Sequence, residues 1–152
     1  MKRSQAREYA FMLIYEASVQ KDKIIAELIA DTEANQEFKA DKYIRSTLLG
    51  VLEHIEELDS LISENSHGWK ISRISVTSGA ILRLAIYEML FGDVPFSVAI
   101  NEAVELAKKY DHEKAPKFIN GILNAVAEQK GLKKQKLPQS EQQSDKAPND
   151  NN

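Results

Sequence analysis

The stretch "TSGAILRLAIYEMLF" at residues 77–91 decides the fold class, because it is apolar around most of a helical circumference. One face of this helix collects the residues Ile81, Leu82, Ala85, Ile86 and Met89. Leu84 points away from that face, and a helix that is apolar nearly all round is covered on several sides. We therefore expect a helix from Ser75 to Phe91 at the centre of the domain, with Arg83 and Glu88 in structural roles.

The rest of the chain also reads as helix. Apolar residues at three- and four-residue steps predict further helices at about 4–20, from residue 24 onward, at 42–62, at 97–110 and at 116–131. Asp22 is placed to cap the second of these, and Gly68 is the expected break in the connector "SENSHGWKISRIS" at 63–75. Since no run alternates long enough to predict a strand, the fold class is all-α, a compact helical bundle.

Composition divides the chain in two. Residues 1–132 have the length and apolar content of one globular domain. Residues 133–152 have almost no large apolar side chains, and we expect a disordered polar tail there.

Charge and cysteine content limit the function. The chain has no cysteine, which excludes disulfides and thiolate metal sites and favours a reducing cytoplasm. No apolar run approaches the roughly 20 residues that span a bilayer, so no membrane association is expected. The net charge is −3, which argues against coating of nucleic acid over the whole surface. Any nucleic-acid contact must therefore come from a local patch.

Catalytic patterns are weak. The three histidines are far apart in sequence, and no glycine-rich phosphate loop or G-x-S-x-G motif is present. The acidic residues Glu56, Glu57 and Asp59 favour a solvated face, although a paired-acid site stays open at this point. We expect a protein that is not an enzyme and needs no cofactor or metal.

The first helix combines basic and aromatic residues outside its main apolar arc. Arg7, Phe11 and Tyr15 follow one another at four-residue steps, with Lys2 and Arg3 at the open end of the row. A cationic, aromatic stripe suits single-stranded RNA, because phosphates need positive charge and bases stack on flat side chains. The alternative is that another helix covers the aromatic rings.

The last predicted helix has a polar side opposite its core arc. Lys117, Asn120, Gly121 and Asn124 line up there at helical steps. Lysine binds phosphate, asparagine hydrogen-bonds base edges, and glycine permits close approach. The alternative is an ordinary outer face on which Gly121 allows tight helix packing.

A longer series of motifs resembles one family. The series comprises "AREYAFMLIYEA" at 6–17, Trp69, Arg73, "AILRLAIYEM" at 80–89, "DVPFSVAINEAVELAKKY" at 93–110 and "KFINGILN" at 117–124. These residues resemble the transcription antitermination factor NusB family, and the resemblance covers most of residues 2–130.

The resemblance implies an all-helical protein of two small helical subdomains, without catalysis. It implies binding of boxA RNA in nascent ribosomal RNA transcripts together with the ribosomal protein NusE, within the antitermination complex of RNA polymerase. The family's arginine-rich N-terminal segment, which takes part in RNA binding, corresponds to Lys2, Arg3 and Arg7, although it is thinner in arginine here. Tyr15 and Ser78 fall on the implied partner-binding surface.

The sequence thus assigns RNA binding to eight residues: Lys2, Arg3, Arg7, Phe11, Tyr15, Lys117, Asn120 and Asn124. Two other functions stay open. One is a purely protein-binding helical module, possible as a homodimer, and the other is an accessory domain that assists a ribosomal RNA methyltransferase in trans.

Overall fold

The computed structural model describes residues 1–67 and 73–134, and all regular structure within them is helical. The helices of these ranges are α1 Arg3–Val19, α2 Ile25–Gln36, α3 Lys42–Glu53, α4 Ile55–Glu64, α5 Val76–Leu90, α6 Phe96–Tyr110, α7 Ala115–Gln129 and a 3-10 turn at Leu132–Lys134. The predicted all-α class is confirmed. The predicted break at Gly68 and most of the predicted tail lie outside the described residues. No helix in the described ranges is long and apolar enough to cross a membrane.

Helix α5 lies at the centre, as its apolar circumference predicts. It packs against α1, α3, α4, α6 and α7. Ten of its fifteen residues are buried. Buried side chains from all seven α-helices form one continuous apolar cluster. Because burial of apolar area is the dominant favourable term in folding, α5 organises the positions of the other helices.

Local capping explains where several helices begin. The Asp41 carboxylate accepts a 2.8 Å hydrogen bond from the Ile44 amide at the start of α3, and the Ser75 hydroxyl accepts from the Ser78 amide at the start of α5. Such caps satisfy amides that have no partner within the helix. The predicted cap at Asp22 is wrong. Helix α2 begins later, after Ile24, whose amide donates to the Glu27 carboxylate.

The predicted helix at 42–62 is two helices, α3 and α4, which meet at His54. The backbone of His54 leaves the helical region, with φ −105° and ψ 18°. Its ring nitrogen Nδ1 lies 2.9 Å from the Gly50 carbonyl oxygen, and its ring stacks on Phe91 with centroids 4.0 Å apart. Since the apolar periodicity continues across this break, the sequence pattern alone predicts one helix.

Gly50 lies in α3 directly against the Tyr87 side chain of α5. A Cβ at position 50 would lie 2.1 Å from the Tyr87 hydroxyl oxygen and 2.3 Å from Cζ. No side chain fits there unless the ring moves, so the glycine sets the distance between α3 and α5.

We expect Gly50→Ala to lower the free energy of unfolding by about 1–3 kcal/mol, the usual effect of an overpacked core contact. Urea unfolding followed by circular dichroism measures the change. Gly79→Ala is the matched control, because its Cβ would lie 3.7 Å from Arg83 Nη1, an ordinary contact distance. Equal stabilities of the two variants would contradict the proposed steric role of Gly50.

Candidate nucleic-acid interface

The basic end of α1 is exposed and held in place. Lys2 and Arg3 are exposed at the start of the helix. The Arg3 guanidinium lies over the Tyr43 ring of α3, 4.0 Å from the ring centroid, in a cation–π contact. Positive charge at a helix N-terminus interacts unfavourably with the helix dipole, whose N-terminal end is also positive. These two cations therefore do not stabilise α1 itself and are available to an anionic ligand.

Two residues of the predicted exposed stripe are buried instead, so that expectation is wrong for Arg7 and Phe11. Arg7 is 5% exposed and Phe11 is 3% exposed. The Phe11 ring packs against Tyr110 at the end of α6, with centroids 5.1 Å apart. Tyr15 is half-buried beside Phe11. Helix α1 is thus covered on the side that a helical wheel leaves open, as in the alternative given above.

Arg7 belongs to a buried ionic network. Its Nε donates to Glu88 Oε1 of α5 at 2.7 Å, and the Tyr43 hydroxyl donates to Glu88 Oε2 at 2.7 Å. Burial lowers the pKa of Arg7, but the hydrogen bond and charge of Glu88 outweigh it, and the pKa is raised. Burial and Glu88 both raise the pKa of Tyr43. Arg7 is therefore a charged structural residue, and Glu88 has the structural role expected from the sequence.

A second ionic contact joins α1 to the end of α6. Glu8 Oε2 accepts a 2.6 Å hydrogen bond from Lys109 Nζ and another from the Tyr110 hydroxyl. Burial raises the pKa of Glu8, but these two hydrogen bonds outweigh it and the pKa lies below its ordinary value. Lys109 lines an open groove together with Lys2 and Lys108, and the carboxylates of Glu8, Glu102 and Glu105 line the same groove. The start of α1 and the end of α6 therefore form one surface.

The polar side of α7 is exposed, as expected. Lys117 and Asn120 are exposed and Asn124 is half-buried. The Asn124 amide donates to Asn120 Oδ1 at 2.9 Å and to the Asn120 carbonyl at 3.0 Å. Within the part of the chain that the structure describes, a Cβ at Gly121 would meet no atom within 4 Å. The alternative in which Gly121 allows tight helix packing is therefore wrong.

Ser78 is not on the surface, which corrects the expected partner-binding position. It is 2% exposed, and its hydroxyl donates to Asp111 Oδ2 at 2.5 Å. The described residues around it leave a cavity of about 360 Å³. The cavity is lined by Ser66, His67, Arg73, Ile74, Ser75, Ser78, His112, Lys114 and Phe118.

This cavity combines cationic and aromatic groups that the sequence analysis did not bring together. Arg73, His112 and Lys114 are exposed at its edge, and Phe118 supplies a half-buried ring. The residues come from the segment before α5, the α6–α7 turn and the start of α7. No sequence motif connects His112 with another functional residue. In the fold it lines the same cavity as Arg73. Arg73 belongs to the resembling series, which is the one signal that could have found it.

The described residues contain no group of three or more metal-ligating side chains that could hold a metal ion. Arg73 and Lys114 line the cavity and suit an anionic ligand, while the Asp111 carboxylate lies beside it and accepts from Ser78. The exposed cations at the start of α1 (Lys2 and Arg3) and those around the α6–α7 turn (Arg73, Lys114 and Lys117) are together called the basic surface below.

Comparison with protein families identifies the chain. The model described as "NusB family" matches residues 4–128. The chain belongs to the NusB family. Transcription antitermination protein NusB of Acetivibrio thermocellus is 48% identical over 132 residues, 86% of this chain and 91% of that protein. NusB of Bacillus subtilis is 42% identical over 127 residues, 83% of this chain and 95% of that protein.

Solved NusB structures have the same fold. T. maritima NusB superimposes with a TM-score of 0.75 at 30% identity, covering 92% of this chain and 96% of that chain. A crystal structure of antitermination factors NusB and NusE in complex with double-stranded RNA gives a TM-score of 0.74 at 29% identity, covering 85% and 99%. These similarities span nearly whole NusB chains, which favours the antitermination reading over an accessory domain of a methyltransferase.

We expect Arg7→Met to lower the free energy of unfolding by about 3–5 kcal/mol, because it leaves the buried Glu88 carboxylate without its cation. Urea unfolding measures the loss. The double variant Arg7→Met/Glu88→Gln removes the unpaired charge, so it should recover much of the stability. An Arg7→Met variant as stable as the native protein would contradict the structural role of Arg7.

The lowered pKa of Glu8 predicts a stability contribution that is present above its ordinary pKa of 4.5 and is lost as the pH falls through the lower folded value. Glu8→Gln should therefore lower the melting temperature at pH 7, and this deficit should shrink toward pH 3. Glu105→Gln is the control, since Glu105 is exposed and forms only a surface pair with Lys108. A deficit of Glu8→Gln that does not change with pH would contradict the ionic role.

Proposed function

We propose that this protein is a transcription antitermination factor that binds boxA RNA of nascent ribosomal RNA transcripts together with the ribosomal protein NusE, within the antitermination complex of RNA polymerase. It acts by binding and not by catalysis. Because transcription in bacteria takes place in the cytoplasm, the protein works there.

The observation that carries the proposal is the basic surface on a chain of negative net charge. Lys2 and Arg3 at one end, and Lys114 and Lys117 at the other, are exposed. Phosphates are neutralised by such cations, and we propose that the two groups together provide the phosphate contacts that an acidic protein needs.

The proposed RNA-binding set follows from exposure. It keeps six residues of the sequence-based set, Lys2, Arg3, Tyr15, Lys117, Asn120 and Asn124, and adds Arg73, His112, Lys114 and Phe118. Arg7 and Phe11 act indirectly, because they hold α1 in place. Lysine and arginine bind phosphates, the Phe118 ring offers a stacking face, and the paired Asn120 and Asn124 offer hydrogen bonds to base edges.

NusE has a specific role in the proposal. The net charge of −3 repels RNA at a distance, so the protein alone binds boxA RNA weakly. A basic partner beside Tyr15 extends the positive surface and supplies further phosphate contacts. Because Ser78 is buried, the proposed partner contact does not include it.

The test is fluorescence anisotropy of labelled boxA RNA with and without NusE over a range of salt concentrations. We expect tighter binding with NusE, and we expect Lys117→Ala to weaken binding and reduce the salt slope by about 0.7, the value for one single-strand phosphate contact. Lys23→Ala is the charge-matched control, because Lys23 pairs with Asp31 on the α2 side of the molecule.

Two outcomes would contradict the proposal. Equal RNA affinity with and without NusE would remove the role assigned to the partner. NusE binding without any boxA RNA binding would instead favour the protein-binding module.

A further inference from the structure

Gly121 is a glycine for which the described chain offers no internal reason. It lies in the interior of the fifteen-residue helix α7 and is exposed. A Cβ there would have no neighbour within 4 Å among the described residues, and the φ of Gly121 does not lie in the left-handed region. An interior helix glycine is destabilising by about 1 kcal/mol relative to alanine. Neither steric crowding nor backbone conformation within the described residues offsets this disadvantage.

Gly121 lies in a row of residues that belong to the basic surface. Lys114 and Lys117 precede it by seven and four residues, and Phe118 precedes it by three, so all three lie on the same side of α7. Lys114 and Phe118 line the cavity. Asn124 follows Gly121 by three residues and is already hydrogen-bonded to Asn120. The bare backbone of Gly121 is therefore one helical turn beyond the cavity, between cations and amides.

We propose that Gly121 is the point of closest approach between the protein and the RNA strand, where the missing side chain lets the sugar–phosphate backbone lie directly on helix α7. The proposal rests on the function proposed above and adds a residue that positions the RNA strand. With a base at the Phe118 ring, the strand continues over Gly121 toward Asn124. Lys114 and Lys117 neutralise the phosphates on either side of this approach.

Charge favours RNA over a protein as the occupant of this face. The exposed charged residues nearest to Gly121 toward the helix start are the lysines Lys114 and Lys117. Toward the helix end, Glu128 lies one turn beyond Asn124, and its carboxylate is 3.9 Å from Lys133 Nζ. The acidic group is thus partly neutralised, and the face is positive where the strand would enter.

The test separates stability from binding. Gly121→Ala and Gly121→Leu add side chains of increasing size to a site that has room for them in the free protein. Gly121→Ala should raise the melting temperature by about 2–4 °C, because alanine favours the helix. At the same time it should weaken binding of boxA RNA in the presence of NusE about tenfold, and Gly121→Leu should weaken it further.

Gly79→Ala is the matched control, since it makes the same change in helix α5, where the new Cβ would meet the Arg83 side chain at an ordinary contact distance. It should leave RNA binding unchanged. NusE binding, measured without RNA, should be the same for all three variants.

The outcomes are distinguishable. If the native protein does not bind boxA RNA with NusE, the proposed function fails. If the native protein binds and both Gly121 variants bind equally well, only the inference about Gly121 is overturned. If the Gly121 variants no longer bind NusE in the absence of RNA, this side of α7 contacts NusE and not RNA. The inference about Gly121 is then overturned.

Discussion

The structure depends on one buried carboxylate, Glu88, and the two side chains that satisfy it. Glu88 lies on the central helix α5 and receives hydrogen bonds from Arg7 of α1 and Tyr43 of α3. A charge buried in an apolar core is stable only when it is paired and hydrogen-bonded, so three helices must keep their relative positions. Apolar packing brings these helices together, and this network fixes how they are rotated and how far they slide.

The same network links the core to the basic surface. The Tyr43 hydroxyl donates a hydrogen bond to Glu88, and the Tyr43 ring forms a cation–π contact with Arg3. An arginine held on an aromatic face loses less conformational freedom when it binds a phosphate, because its side chain is already partly ordered. The outer cation and the inner ion pair are therefore connected by a single side chain.

The helices and their order could be predicted from the sequence, whereas the environments of several side chains could not. Apolar periodicity shows on which side of its helix each residue lies. The apolar residues on nearly all sides of α5 therefore predict its central position. Periodicity does not show which residues of other helices pack against that side. Arg7 is predicted to be exposed because its acceptor, Glu88, is 81 residues away in the chain. The helical pattern does not predict the break at His54 for a similar reason, since the His54 ring stacks on Phe91, which is distant in sequence.

Because Tyr43 connects Arg3 to Glu88, a change deep in the molecule has an effect at its edge. Tyr43 and Glu88 do not contact RNA in the proposed interface, yet we expect substitutions there to change the position of the Arg3 guanidinium. A genetic selection for defective antitermination would then collect mutations in the interior alongside those in the lysines that face the nucleic acid. Such interior mutations could be attributed to misfolding alone. Here they would act through one aromatic ring, Tyr43, which contacts both the core and the surface.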